Sequence, residues 1–461
     1  MPRITIAGAG LAGTLLAIAL ARRGYEVDLH DRRPDPRRAR VDGGRSINLA
    51  LSARGSHALS QVGLLDRVLA RAVPMRARAI HAVTGDVAYQ AFGRTETEYL
   101  SAVERHTLNV VLLDAADEHP NIRTHFGSRV VNVDFETSTL SILHPGSGPI
   151  EEEKYERLIG ADGTFSGVRS AMVERGLARF ELGELEYGYK EFPITTENAR
   201  SMRLECLHIW PRRSFVMIAN PNPDASFSCT LFLPHEGEDS FASLRTPAEV
   251  EAFFQKFFPD ALERMPDLAT HYFSVQDSET LAGHKPRPTG TLPTVQGGPW
   301  HVGDKVLLLG DAAHALVPFF AQGMNSAFED CTVLLECLDR FGERWDAVVP
   351  AFHEARRVDT DAIADMAMQN YREIQDFIAD DRFLLRKRIE QEIMRRFPDL
   401  YTSMHVLVMF TRAPYAFAKK CGELQATLLD DICRDVARIE DVDWESVGRR
   451  LATYAEQTRI A

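Results

Sequence analysis

The sequence has few cysteines and no long hydrophobic run, and these absences exclude several classes of protein. Its 461 residues include six cysteines, none in a C-x-x-C pair or at zinc-like spacing with histidine. Neither a disulfide scaffold nor a zinc site is therefore expected. No apolar run approaches the about 20 residues that span a bilayer, and the stretch Val406–Phe410 is far too short. We expect free thiols, no signal peptide, no transmembrane anchor and a cytoplasmic location.

Basic charge is also scarce. The chain has 53 Lys and Arg against 66 Asp and Glu, a formal net charge of −13. Binding to nucleic acid needs Lys and Arg clustered on a basic face, so no nucleic-acid partner is expected. The arginine-rich stretch 32–40 is the exception, and we interpret it as a solvated or cofactor-adjacent loop. We find no metal-binding spacing and no Ser/His/Asp set, so no metal and no catalytic side-chain triad are predicted.

The N-terminal residues have the pattern of a dinucleotide-binding βαβ unit. A buried strand is predicted at Arg3–Ala7, a helix from about Thr14 to Arg23, and a second strand from Tyr25 to His30. A G-x-G-x-x-G sequence separates the first strand from the helix, where glycines allow a pyrophosphate to approach the backbone. By itself this motif does not distinguish FAD from NAD. The predicted cofactor-binding residues are Gly8, Gly10, Leu11, Ala12, Gly13, Asp31, whose carboxylate suits a ribose hydroxyl, and Arg32.

Two later motifs resemble fingerprints of the class A flavoprotein hydroxylases. Residues 160–163 (GADG), with Ser166 and Arg169, resemble the DG fingerprint, and residues 309–314 (LGDAAH) resemble the GD fingerprint. The resemblance implies bound FAD, with an aspartate on the ribityl chain and a helix N-terminus facing the flavin pyrimidine. It also implies that NADPH has no Rossmann domain of its own. The further cofactor residues so implied are Arg105, Asp162, Asp311, Gly323, Met324 and Asn325.

Within that superfamily the chain resembles the kynurenine 3-monooxygenase family over nearly its whole length. The residues that carry this resemblance are 44–52 (GRSINLALS), 187–191 (YGYKE), 207–211 (LHIWP), 227–232 (FSCTLF), 317–325 (VPFFAQGMN), 370–371 (NY) and 410–415 (FTRAPY). The family's activity implies that L-kynurenine is hydroxylated to 3-hydroxykynurenine through a C4a-hydroperoxyflavin, with NADPH and O2 as co-substrates. Catalysis would then rest on the flavin and not on a catalytic side chain.

The same resemblance implies a set of substrate-binding residues. Arg78 would clamp the amino-acid carboxylate and Asn370 would make a second polar contact, while Phe232, Phe319, Phe320 and Phe92 would line the ring pocket. The chain departs from the family at three places. Phe92 replaces a tyrosine, Tyr401 or His405 stands where a second tyrosine belongs, and Phe320-Ala321 replaces a pair that ends in glycine.

These departures keep a second reading open, a related FAD hydroxylase acting on another anilinic or phenolic acid such as a ring-substituted kynurenine. A non-catalytic flavin-binding module is the remaining alternative. The sequence does not decide between NADPH and NADH, nor the oligomeric state.

The order of the predicted elements indicates an α/β fold with an insertion. Strands punctuated by proline and asparagine between about Gly183 and Leu233 predict an antiparallel sheet, and Ser101–Glu118 and the residues after about Trp345 predict helices. We expect a Rossmann-type FAD-binding domain with an inserted antiparallel-sheet substrate domain and a C-terminal helical domain. The expected segments are 1–182 (FAD-binding, first part), 183–285 (β-sheet substrate domain), 286–345 (FAD-binding, second part) and 346–461 (helical domain).

Overall fold

The protein was analysed as a computed structural model, which describes residues 2–38, 48–144, 149–273, 288–376 and 381–458. The first residues of the 44–52 motif, 44–47, and the predicted domain boundary at 285/286 lie outside the described residues. The chain divides into two compact units. Unit 1 comprises Met1–Val73, Ser101–Leu185 and Thr291–Ala364, and unit 2 comprises Pro74–Leu100, Glu186–Gly290 and Asp365–Ala461.

The elements are numbered in chain order. The described strands are β1 (Arg3–Ala7), β2 (Glu26–Asp31), β3 (Asn48–Leu51), β4 (Val73–Met75), β5 (Ala77–His81), β6 (Val87–Ala91), β7 (Leu100–Glu104), β8 (Ile122–Phe126), β9 (Arg129–Asp134), β10 (Thr139–Leu143), β11 (Glu151–Lys154), β12 (Arg157–Gly160), β13 (Arg179–Ile194), β14 (Cys206–Arg212), β15 (Phe215–Pro221), β16 (Phe227–Pro234), β17 (Gly290–Gly298), β18 (His301–Val302) and β19 (Val306–Leu308).

The described helices are α1 (Leu11–Arg22), α2 (Ala53–Gln61), α3 (Leu65–Leu69), α4 (Arg105–Asp117), α5 (Gly167–Glu174), α6 (Pro247–Phe257), α7 (Pro259–Leu262), α8 (Leu268–Tyr272), α9 (Asp311–His314), α10 (Gly323–Phe341), α11 (Trp345–Asp376), α12 (Asp381–Arg396), α13 (Met404–Phe410), α14 (Tyr415–Cys433) and α15 (Trp444–Gln457). Short 3-10 turns lie at Phe241–Ser243, Pro318–Phe320 and Ile439–Asp441.

Unit 1 is built on a parallel sheet of order β18-β19-β12-β1-β2-β8, in which only the β18–β19 pair is antiparallel. Its central strands β1, β12 and β19 are short and mostly buried, as the covered interior of a parallel sheet requires. The predicted first strand is confirmed. Helix α1 begins at Leu11, three residues before the predicted Thr14. Gly10 has an extended backbone (φ −77°, ψ −170°) and is the N-cap, so the first helical residue follows it directly.

One helix prediction was wrong in its first turn. Residues 101–104 were expected to be helical, but Leu100–Glu104 form β7, which pairs antiparallel with β3, and the helix begins only at Arg105. Residues 100–103 are all buried, and residues 101–104 pair with residues 51–48 of β3. Long-range strand pairing therefore overrides the local helical pattern, as tertiary context often does.

Unit 2 contains the predicted antiparallel strands in a larger mixed sheet, in which β13, β16, β15, β14, β5 and β6 follow one another. β13, β16, β15 and β14 pair antiparallel, whereas β14 and β5 pair parallel. One face packs Trp210, Phe192 and Leu231 against Phe254 and Phe258 of α6 and its C-terminal end in a single buried cluster. The opposite face therefore remains for polar and ligand contacts.

The two units differ from the four predicted segments. Residues 74–100, predicted within 1–182, belong to unit 2 because β5 pairs with β14 and β6. Helix α11 crosses from unit 1 to unit 2 at 364/365, so residues 346–364 of the predicted helical domain belong to unit 1. The functional labels of the four segments stay predictions. Among the described residues, no helix is long and apolar enough to cross a membrane.

Candidate cofactor and substrate sites

In the glycine turn between β1 and α1, protein atoms lie close to Gly8 and Gly13, whereas Gly10 faces open space. Gly8 has φ +111° and donates its N–H to the His30 carbonyl at 2.6 Å. A Cβ on Gly13 would lie 1.9 Å from the Gly8 oxygen, whereas a Cβ on Gly10 would meet no protein atom within 4 Å. Gly8 and Gly13 are thus needed for the turn itself. Gly10 faces open space at the helix N-terminus, which fits the approach of a pyrophosphate.

Asp31 holds this turn to β2. Its Oδ2 accepts the Ala9 N–H at 3.0 Å, and Arg33 donates to both carboxylate oxygens through its side chain and its backbone. These four bonds use the roughly four acceptor positions of a carboxylate. Binding of a ribose hydroxyl by Asp31 therefore requires Arg33 to give way, and it stays a prediction. Arg32 is exposed.

Asp162 lies two residues after the end of β12, and one of its carboxylate oxygens can accept a further hydrogen bond. Its Oδ2 accepts the Gly167 N–H at 2.7 Å, but its Oδ1 is buried without a hydrogen-bond partner among the described residues. Burial raises the pKa of this carboxyl. Arg169 donates to the Ala312 carbonyl at 2.8 Å and to the Thr164 carbonyl, and so joins the two fingerprints directly. A polar group of FAD would satisfy the orphaned oxygen.

The GD turn depends on a residue that the sequence analysis missed. Asp330 of α10 is fully buried, and it accepts the Gly310 N–H at 2.8 Å, His314 Nε2 at 2.6 Å and Arg356 Nε at 2.6 Å. Burial alone would raise the pKa of Asp330, but the charges of His314 and Arg356 bring it below the usual range. Asp311, the first residue of α9, follows Gly310 directly and is half-buried. In the sequence, an acidic residue among the apolar residues of α10 is the feature that could have pointed to Asp330.

The start of α10 divides the predicted cofactor residues into two kinds. Gly323 and Met324 are partly exposed, and a Cβ on Gly323 would meet no atom within 4 Å, as a cofactor-facing helix end requires. Asn325 is fully buried, and its amide donates to the carbonyls of Ala50 and Ala321 and accepts from Ser52. Its side chain therefore serves the fold, and any contact with the cofactor falls to its backbone.

The other unit 1 positions singled out from the sequence are Ala321, Phe319, Phe320 and Arg105. Ala321 adopts a left-handed conformation (φ +50°, ψ +34°), in which a glycine would be relaxed, at the position where the family carries glycine. Phe319 and Phe320 are buried in the short turn before it. Arg105 is exposed at the first position of α4.

In unit 2 the structure gathers Arg78 with aromatic and polar side chains. Arg78 Nη2 lies 3.0 Å from His405 Nε2 and 3.4 Å from His405 Nδ1, and its Nη1 lies 3.5 Å from Gln90 Oε1. The guanidinium carbon stands 4.7 Å from the centre of the Phe92 ring. The Phe92 and His405 rings are nearly parallel, 17° apart, with centres separated by 6.2 Å. Arg78, Phe92 and His405 thus form one cluster.

The two candidates for the second tyrosine position lie in different surroundings. Tyr401 is buried elsewhere, with its hydroxyl donating to Glu390 at 3.0 Å, so His405 is the residue beside Arg78. Loss of hydration lowers the pKa of Arg78 to about 10, against the attraction of the Glu373 carboxylate. Burial and the charges of Arg78 and Lys387 hold the pKa of His405 well below its usual value.

The sheet register places Phe232 on the same face as Arg78. Arg78 pairs with Leu207 on β14, and Phe232 pairs with Val216 on β15 and with Tyr189 on β13. Following the pairs strand by strand puts these side chains on one side, opposite the α6 cluster. Phe232 is buried and its ring centre lies 6.2 Å from that of Tyr189. Asn370 is half-buried in α11, next to Tyr371, whose ring meets Tyr187 edge-on.

Comparison with known proteins identifies the family. The family model for the FAD binding domain matches residues 2–262 and 274–364. Two similar curated proteins, both named kynurenine 3-monooxygenase, come from Legionella pneumophila (strain Corby), 48% identical over 98% of each chain, and from Myxococcus xanthus (strain DK1622), 45% identical over 98% of this chain and 96% of the relative.

Among solved structures, the tetrameric form of 2-methyl-3-hydroxypyridine-5-carboxylic acid oxygenase is similar, with a TM-score of 0.66 and 21% identity over 84% of this chain and 95% of that chain. At this identity the likeness shows the fold alone, and it confirms the predicted α/β architecture. The chain belongs to the kynurenine 3-monooxygenase family and carries that family's FAD-binding domain.

Proposed function

We propose that the protein hydroxylates L-kynurenine to 3-hydroxykynurenine, with FAD as its bound cofactor and NADPH and O2 as co-substrates. Similarity to kynurenine 3-monooxygenases over nearly the whole chain supports the reaction. The single observation that carries the substrate assignment is the setting of Arg78, a partly buried cation to which no carboxylate of a described residue comes within ion-pair distance, since Glu373 acts on it only at longer range. A carboxylate ligand would complete this site.

The residues of unit 1 fit FAD. Bound FAD would supply the redox chemistry, accepting reducing equivalents from NADPH and activating O2 for transfer to the ring. The open space at Gly10 would admit the pyrophosphate, and the unpartnered Oδ1 of Asp162 would take a polar group of the cofactor. Asp311 would hold the ribityl chain, because Asp330 and Arg169 fix the backbone on which it stands. The N–H groups at Gly323 and Met324 would stabilise negative charge on the flavin pyrimidine.

Arg78 would bind the amino-acid carboxylate of kynurenine. A partly buried cation with no carboxylate at ion-pair distance is costly, and loss of hydration lowers the pKa of Arg78 in spite of the attraction of Glu373. A guanidinium binds a carboxylate through two parallel N–H bonds, and so fixes orientation as well as position. Phe232 and the apolar side chains on the same sheet face would hold the aromatic ring away from water. We propose that Asn370 adds a polar contact in this pocket, while Phe319 and Phe320 of unit 1 stay predicted ring-contact residues.

We also propose that the protein acts in the cytoplasm as an enzyme of small molecules. All six cysteines are free thiols and five of them are buried, which suits a reducing compartment. The net charge of −13 gives no support to a nucleic-acid partner.

A substrate panel tests the proposed function. The purified holoenzyme is mixed with NADPH, oxygen and, in turn, kynurenine, ring-substituted kynurenines, anthranilate and 4-hydroxybenzoate, and both NADPH oxidation and products are measured. We expect the highest kcat/KM for kynurenine, with 3-hydroxykynurenine formed in proportion to the NADPH consumed. A higher kcat/KM for a ring-substituted kynurenine would favour the alternative hydroxylase, which the departures at Phe92 and Phe320-Ala321 keep open. No turnover with any of them would contradict the proposal.

A further inference from the structure

Arg356 of α11 is fully buried, and it is bonded to α10 at two points one helical turn apart. Its Nε donates to Asp330 Oδ1 at 2.6 Å, and its Nη2 donates to Ser326 Oγ at 3.0 Å and to the Ser326 carbonyl at 3.2 Å. The side chains of Arg356 and Asp330 are only 1% and 0% exposed. A guanidinium is planar and rigid, so bonds from two of its nitrogens to one helix fix the direction in which it meets the Asp330 carboxylate.

The other oxygen of that carboxylate holds the GD turn. Asp330 Oδ2 accepts the Gly310 N–H at 2.8 Å and lies 2.6 Å from His314 Nε2. Gly310 has φ +62°, which favours glycine, and its carbonyl accepts the N–H groups of Ala313 and His314 at 2.8 and 2.9 Å. Both polar backbone groups of Gly310 are thus bonded. Asp311 comes next in the chain and starts α9, so the direction of its carboxylate follows from this turn.

The Ser326 end of the contact lies in the first turn of α10. Ser326 is fully buried and donates its own N–H to the Gln322 carbonyl at 2.7 Å. The N–H groups of Gly323 and Met324, just before it, have no acceptor within the helix, because no helical turn precedes them. Arg356 therefore connects the start of α10, through the Asp330 carboxylate, with the GD turn.

We propose that Arg356 is a positioning residue for the bound flavin: anchored on Ser326, it fixes the Asp330 carboxylate and so sets Asp311 against the first turn of α10. This inference rests on the proposed function, in which Asp311 holds the ribityl chain and the start of α10 faces the pyrimidine. Both groups belong to one cofactor molecule, so the two parts of the protein have to keep the spacing that FAD requires. The two buried charges also depend on each other, because a buried carboxylate that loses its cation is strongly destabilising.

Two measurements on the holoenzyme separate this role from a purely structural one. The dissociation constant of FAD, from its release on dilution, and the two-electron midpoint potential of the flavin are compared for wild type, Arg356→Met, Arg356→Lys and Arg357→Met. Arg357 is the matched control, because its side chain is half exposed and pairs with Asp361 at 3.9 Å.

We expect Arg356→Met to weaken FAD binding by about tenfold, Arg356→Lys to weaken it less, and Arg357→Met to change it by less than about twofold. The midpoint potential of Arg356→Met should fall by about 10–30 mV, a roughly two- to tenfold loss of preference for the reduced flavin, because the N–H groups of α10 stabilise its negative charge. Arg357→Met should keep the wild-type potential.

A cycle with Asp311→Ala gives the decisive outcome. If Arg356 acts in part through Asp311, the factor by which Arg356→Met weakens FAD binding should be at least about threefold smaller in the Asp311→Ala background. An equal loss in both backgrounds, or a wild-type midpoint potential in Arg356→Met, would overturn the positioning role. If Arg356→Met does not fold, the double variant Arg356→Met with Asp330→Asn, which removes both buried charges, takes its place in both measurements. An Asp311→Ala variant with wild-type FAD affinity would instead contradict the role of Asp311 in the proposed function, and this inference with it.

Discussion

The side-chain oxygen of Asn325 accepts a 2.9 Å hydrogen bond from the backbone N–H of Ser52, which lies 273 residues earlier in the chain. The same side chain donates to the carbonyls of Ala50 and Ala321. A residue that the family motif assigns to the flavin thus also joins the first turn of α10 to β3. The Asn325 side chain therefore stabilises the fold, and its predicted contact with the cofactor falls to its backbone.

Asn325→Ala should lower the free energy of unfolding by about 2–3 kcal/mol, because it leaves buried backbone groups at Ala50 and Ser52 without partners. Urea unfolding of the FAD-free protein measures this directly. Asn132→Ala is the matched control, because its side chain accepts a single exposed bond from Arg175, and it should change stability by less than about 0.5 kcal/mol. An Asn325→Ala variant as stable as that control would show that the network does not hold the fold.

Substitutions at two glycines of the same turn should have opposite consequences. Gly13→Ala places a Cβ 1.9 Å from the Gly8 oxygen, so it should destabilise the protein, because the helix has to move away from the turn. Gly10→Val meets no protein atom with its Cβ, so it should fold, but it should lose FAD because the side chain fills the pyrophosphate approach. Flavin absorbance and the urea midpoint of each variant check this. A Gly10→Val protein that retains stoichiometric FAD would refute the assigned cofactor position.

Acid should destabilise unit 2 through His208. Burial lowers its pKa from 6.5 to about 4, and the ring bonds His81 at 2.8 Å and the Arg203 carbonyl at 3.0 Å. Between these two pKa values the unfolded chain binds a proton that the folded chain does not, so stability falls as pH falls from about 6.5 to 4. The loss from this residue is at most about 3 kcal/mol.

Unfolding free energies across pH 4–7.5 test this expectation. His208→Gln should flatten the acid slope, whereas the control His119→Gln, at a position just beyond α4, should keep it. An acid slope that is identical in wild type and in His208→Gln would exclude His208 as its source.

Local patterns predicted the FAD-binding domain correctly. The glycine turn and the two aspartate motifs lie in short segments whose chemistry is set by neighbours in sequence, and the structure places Asp162 and Gly310 at adjacent strand ends. The supporting residues were not predictable in this way. Asp330 and Asn325 act across long sequence separations, and the contact of His405 with Arg78 joins a helix to a strand 327 residues away.

The same reason explains the wrong helix at 101–104. Those residues have a helical pattern, but they pair with β3, which no local pattern predicts. Membership of residues 74–100 in unit 2 was missed because it depends on the parallel pairing of β5 with β14.

A kynurenine titration of NADPH consumption in wild type, Arg78→Met and Arg78→Lys tests whether Arg78 binds the carboxylate of kynurenine. Methionine keeps much of the side-chain length but removes the charged fork, so half-saturation should rise by roughly 10- to 150-fold, the equivalent of about 1.5–3 kcal/mol. Lysine should rescue only in part, because a point charge cannot form two parallel bonds. FAD content should stay at the wild-type level in both variants. A shift of less than about threefold in Arg78→Met would contradict the account, since the carboxylate would then be bound elsewhere.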